Sequence, residues 1–121
     1  MRVISTSLIV SAALALTNGT VAAQQQFSGS WSVEATTERG TCKKAYRYPV
    51  VIENGTVRSG GPPNINVSGR VHPDGSIQSS VERALARTKV TGRLADRSGA
   101  GTWTTSGSVN CSGRWRAIKQ S

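Results

Sequence analysis

The chain has 121 residues, with 15 Lys and Arg against 6 Asp and Glu, for a formal net charge of +9. That length allows one small domain with a core of its own. Two cysteines, one histidine (His72) and no Cys-x-x-Cys spacing exclude an ordinary zinc site.

The N-terminus is predicted to be a targeting segment. Arg2 supplies a short positive region, and VISTSLIVSAALAL (residues 3–16) supplies an apolar one too short to span a bilayer. Val21-Ala22-Ala23 places small residues where a signal peptidase reads, so cleavage is expected between Ala23 and Gln24; an uncleaved anchor is the alternative. The expectation is a signal peptide over residues 1–23, one β-domain over 24–121, and a periplasmic or secreted monomer. No later stretch approaches the ~20 apolar residues of a transmembrane helix. Cys42 and Cys111 both remain after cleavage, and in an oxidising compartment they are predicted to form one disulfide.

From residue 29 onward the pattern alternates with period two. Gly29, Trp31, Val33 and Ala35 share one face, with Ser30, Ser32, Glu34 and Thr36 on the other. Tyr46, Tyr48, Val50 and Ile52 form the next apolar face. Pro49 cannot donate to a ladder and predicts a bulge or a locally open edge. Asn54-Gly55 is a strong hairpin signal; a short strand around Val57 follows and Gly60-Gly61-Pro62-Pro63 ends it. Ile65, Val67, Gly69 and Val71 alternate up to a Pro73-Asp74-Gly75 turn, and Ile77, Ser79 and Val81 return from it. ERALAR, around Arg83 to Ala86, suggests one helical turn, too short to stand as a helix alone. Thr88, Val90, Gly92 and Leu94 resume the strand pattern, Asp96 to Gly99 read as a turn, and Gly101, Trp103 and Thr105 lead the next strand. Cys111, Gly113, Trp115 and Ala117 form the last inward face.

About eight short strands with short connections predict an all-β fold: an antiparallel up-and-down meander closing into a small barrel, which removes exposed edges. A two-sheet sandwich is the alternative. Closure would put the three Gly-x-Trp frames, Gly29-Ser30-Trp31, Gly101-Thr102-Trp103 and Gly113-Arg114-Trp115, on three adjacent strands facing inward. Trp103 and Trp115 flank the last turn symmetrically about residue 109, so they are expected to face each other across the strands. Cys42 and Cys111 would fall at one end and tie the first strand to the last. Trp31, Trp103 and Trp115, with Tyr46 and Tyr48, are then either solid core or the wall of a pocket. Small inward residues at Gly69, Ser79, Thr88, Gly92 and Gly101 fit an unfilled cavity, or space that large rings fill.

The excess of cations suits anionic partners such as nucleic acid, lipopolysaccharide or acidic polysaccharide. The bland alternative is solubility, because the basic residues are spread along the chain. Arg70, Arg87, Lys89, Arg93, Arg114 and Arg116 all have outward parity and are the candidate anion-binding residues. Exposed aromatics are not interleaved with them, which weighs against single-stranded nucleic acid. Catalysis is not expected: the six carboxylates are scattered, His72 belongs to a turn, and no phosphate loop or metal set is present. No cofactor is predicted. Asn-x-Ser/Thr sequons occur at Asn54, Asn66 and Asn110, and they matter only in a host that glycosylates.

The succession FSGSWSV, a cysteine, YRYPVVIENG, VSGRVHPDGSI, TGRL, GAGTW and CSGRWRA resembles small exported proteobacterial proteins of unknown function. The resemblance implies a secreted β-protein with one disulfide and carries no catalytic residue. More loosely, the architecture is similar to periplasmic metalloprotease inhibitors built on an eight-stranded, single-disulfide barrel. That analogy implies a protein partner, with Gln24-Gln25-Gln26-Phe27 free to enter a protease cleft.

Overall fold

The computed structural model describes residues 25–61 and 65–121. The predicted signal peptide and cleavage site lie outside the described residues, as do Gln24, Pro62, Pro63 and Asn64. Eight strands follow in chain order: β1 (Gly29–Arg39), β2 (Ala45–Glu53), β3 (Thr56–Ser59), β4 (Asn66–Val71), β5 (Ser76–Arg83), β6 (Ala86–Ala95), β7 (Ser98–Gly107) and β8 (Cys111–Lys119). Each pairs antiparallel with its neighbour in sequence, and β8 pairs with β1, so the meander closes into a barrel. Among the described residues, no helix is long and apolar enough to cross a membrane.

The alternation read from the sequence sets the two faces. Along β8, Cys111, Gly113, Trp115 and Ala117 are buried while Arg114, Arg116 and Ile118 are exposed. Inward apolar side chains leave water while outward charges keep their hydration, and a slip of one residue would exchange the two sets.

The turns follow their residues. Asn54 and Gly55 both have positive φ, 50° and 83°, which is the two-residue hairpin that Asn-Gly favours. The ERALAR segment corrects the expectation of a helical turn. Arg83 pairs directly with Ala86, so the loop is the two residues Ala84-Leu85, with Ala84 at φ 54°. A single helical turn leaves most of its backbone groups unpaired, whereas the ladder of the barrel satisfies them. Likewise Ser98 and Gly99 belong to β7, and the preceding turn is only Asp96-Arg97. Pro49 sits where β2 stops pairing with β3: the last pair is Val50 with Ser59, and Gly60 N–H donates to the Pro49 carbonyl at 2.9 Å. β3 is too short to cover the first half of β2, so the missing N–H falls at a locally open edge.

The two ends of the barrel differ. At one end lie the Asn54-Gly55, His72–Gly75 and Asp96-Arg97 turns, and this end is sealed by Phe27, Trp31, Ile52, Val71 and Leu94, all buried. Residues 25–28 make a turn across it. Ser28 N–H donates to the Gln25 carbonyl, Ser28 Oγ accepts from Asn54 N–H, and Gln26 O accepts from Lys119 Nζ. At the other end the Cys42–Cys111 disulfide joins the loop after β1 to the start of β8, with Cα atoms 6.1 Å apart. Both cysteines are thus oxidised, in the place the barrel topology predicts.

Candidate functional site

The three tryptophans occupy adjacent strands, β7, β8 and β1, all facing inward, but they do not play one role. Trp31 is 1% exposed and belongs to the sealed end; its Nε1–H donates to the Phe27 carbonyl at 2.9 Å. Trp103 and Trp115 lie further along the barrel, half in the core and half in the wall of a cavity.

These two rings correct the expected facing pair. The β7–β8 register centres on Ser108, one residue earlier than symmetry about the tryptophans requires. Trp103 therefore pairs with Gly113, and Trp115 with Gly101. Each ring lies against the other frame's glycine. A Cβ on Gly113 would stand 3.0 Å from Trp103 Cζ2, and one on Gly101 would stand 2.7 Å from Trp115 Nε1. Gly92, paired with Gly101 on β6, clears the rest of the path, since its Cβ would lie 2.6 Å from Trp115 Cζ2. Trp115 thus reaches across β7 to donate to the Thr91 carbonyl at 3.0 Å, and Trp103 donates to the Arg114 carbonyl at 3.1 Å. All three indole N–H groups are satisfied by backbone, as buried tryptophans require. Two of the rings lie along the wall instead of filling the middle.

The middle is a cavity of about 270 Å³. Its lining runs from Val57 and Ile77 near the sealed end, past Val81, Val90 and the two indoles, to Cys42 and Val109 at the disulfide end, where it opens. Tyr46 and Tyr48 stack on one side of the mouth, with ring centroids 6.1 Å apart and planes at 12°. The Tyr46 hydroxyl accepts from Lys43 N–H, which holds the loop after β1 against the rim. Polar groups inside are spent on one another: the Thr88 and Thr105 hydroxyls hydrogen bond across β6 and β7, and Ser79 Oγ–H donates to the Ser68 carbonyl at 2.7 Å. The rest of the lining is apolar except toward the mouth, where Tyr46, Tyr48 and Arg83 stand. Among the small inward positions, Ser79 and Thr88 border the cavity, while Gly92 and Gly101 lie beneath Trp115.

One lining residue escapes the sequence reading. Arg83 continues the inward parity of Ile77, Ser79 and Val81 along β5 and reaches the mouth of the cavity. The signal was present in that parity, but the mistaken helical turn hid it.

The six outward cations are placed as their parity predicts, all exposed. Arg93 and Arg116 flank Ala100 of β7, and Arg114 lies across Thr102. Four of the six already hold carboxylates: Arg87 with Glu82, Arg93 with Asp74, Arg114 with Glu38 and Arg116 with Glu34. Arg70 and Lys89 have no carboxylate partner among the described residues, and they stand apart, on β4 and β6. Glu34 also receives Arg47, at 3.1 Å, and its two guanidinium partners, Arg47 first, lower its pKa. Asp74 is lowered too, mainly by the backbone and side-chain hydrogen bonds of Ser76.

The N-terminal segment is not free in the way the inhibitor analogy implies. Phe27 is 2% exposed and plugs the sealed end, so its entry into another protein's cleft would require that end to come apart. No family model matches the chain, and no curated protein and no solved structure matches it either.

Proposed function

We propose that the protein is an exported, non-catalytic binding barrel whose lumen takes one small, largely apolar molecule. The observation that carries this reading is the apolar cavity of about 270 Å³, open at the disulfide end. An engineered apolar cavity of ~150 Å³ already binds benzene, so a larger one lined mainly by valines and indoles suits a small organic ligand. Export is supported by the disulfide, which belongs in an oxidising compartment, and by the apolar N-terminal segment with its small-residue cleavage pattern. Binding of an anionic polymer such as lipopolysaccharide or acidic polysaccharide is the weaker reading, because most of the candidate arginines hold carboxylates of the same chain.

The test is titration of the purified protein with 1-octanol, followed by indole emission and by NMR shifts. Saturable one-to-one binding is expected, with shifts at Val81, Val90 and the Trp103 indole. Val81→Phe should fill the lumen and abolish binding while the far-ultraviolet circular dichroism stays that of the parent. Linear, non-saturating shifts, or full binding by the filled variant, would remove the lumen as the site.

A further inference from the structure

Among the described residues lining the cavity, Arg83 alone is charged, and it stands at the open end. No carboxylate lies within ion-pair distance of its guanidinium and no side-chain hydrogen bond engages it, among the described residues. Its neighbour in sequence, Glu82, has the outward parity of β5 and is held at 2.7 Å by Arg87. Around the same end, Arg39 closes β1, and Lys43 and Lys44 sit in the loop that carries Cys42. These three cations also have no carboxylate partner among the described residues. The other acid there, Glu38, is taken by Arg114. The mouth is therefore positive with its acids already neutralised, and the space beneath it is apolar.

We propose that the ligand is an anionic amphiphile: a short acyl chain in the lumen with its carboxylate on Arg83. The proposal rests on the lumen being the binding site and adds the head group. A guanidinium fork matches a carboxylate with two parallel hydrogen bonds, which a lysine ammonium does not. The chain length follows from volume. At about 30 Å³ per water-sized group, a cavity of 270 Å³ holds on the order of nine non-hydrogen atoms, the size of an eight-carbon chain. Lys43, Lys44 and Arg39 would raise the local concentration of such anions without fixing their orientation.

The experiment compares octanoate with 1-octanol at low and high salt, by calorimetry, on the wild type, Arg83→Gln and Lys89→Gln. Lys89→Gln removes the same charge from the outer face and serves as the control. In the wild type octanoate should bind about tenfold more tightly than octanol, as one charge-assisted hydrogen-bonded pair gives, and the preference should shrink with salt. Arg83→Gln should erase the preference by weakening octanoate about tenfold, with octanol affinity moving much less, while Lys89→Gln should keep it. Octanoate binding no tighter than octanol would overturn the head-group assignment while leaving the lumen as a binding site. Equal losses in the two variants would also overturn it, by making the preference a matter of net charge. If neither compound binds, the proposal falls together with the lumen itself.

Discussion

Glycine and tryptophan in this barrel are halves of one device. The indoles lie along the wall only because Gly92, Gly101 and Gly113 carry no side chains beneath them, and that is why the lumen stays open. At Gly101 the constraint falls on an indole hydrogen bond itself. A methyl there would meet the Thr91 carbonyl and the Trp115 nitrogen together, breaking the indole hydrogen bond and pushing the ring toward the cavity. Gly101→Ala is therefore expected to destabilise the protein by about 1–3 kcal/mol, the usual cost of overpacking, in urea unfolding. The near-ultraviolet circular dichroism should change as well. Thr102→Ala, one residue on and facing solvent, should stay within about 0.5 kcal/mol of the parent. The Gly-x-Trp frames were legible as text, and so was their inward parity. Their pairing was not, because moving the centre of the β7–β8 register by one residue keeps every face while exchanging which side chains lie opposite. Arg83 shows the converse: its parity was readable, but only once Ala84-Leu85 is known to be a two-residue turn.

β1 is held on its outer face by a charge shared between both neighbours. Glu34 lies directly opposite Arg47 on β2 and Arg116 on β8, so one carboxylate bridges three strands where the barrel closes. Its pKa is depressed below the ordinary 4.5 by those guanidinium groups. A depressed carboxylate favours the folded state above its unfolded pKa and loses that contribution as the pH falls through the lower folded value. The stability difference between wild type and Glu34→Gln should therefore be constant from neutral pH down to about the ordinary carboxylate range. Below that range it should vanish, as read by urea midpoints across a pH series. The effect should be small and should diminish in salt, since the group is exposed. Strand count, order and facing were all readable from period-two alternation and turn residues. The ends of strands were not, because ladder pairing extends β7 back to Ser98 and through Gly107 beyond the residues whose pattern marks a strand. The meeting of β3 and β4, with Thr56 paired to Arg70, also left no trace in the text, since it depends on how the sheet curls.

The molecule closes its two ends by different means. One is sealed by side chains, with the Gln25–Ser28 turn laid across and Phe27 driven in behind Trp31. The other opens onto the lumen, so apolar packing does not hold it. There the covalent Cys42–Cys111 bond joins the first strand's loop to the last strand, across a separation of 69 residues. The Thr37 hydroxyl donating to the Lys43 carbonyl and Thr37 N–H donating to the Lys44 carbonyl fix only the loop's near side. The disulfide acts mainly by removing freedom from the unfolded chain, and a loop of that length corresponds to about 4 kcal/mol on the chain-entropy estimate. The double variant Cys42→Ser, Cys111→Ser should accordingly lose about 4 kcal/mol in urea unfolding. The loss should appear as a lower midpoint, with the native circular dichroism retained in buffer, because the sealed end and the ladder are untouched. A loss no larger than that of a surface substitution would mean that the hydrogen bonds of the loop already close the open end, and that the disulfide contributes nothing further to its stability.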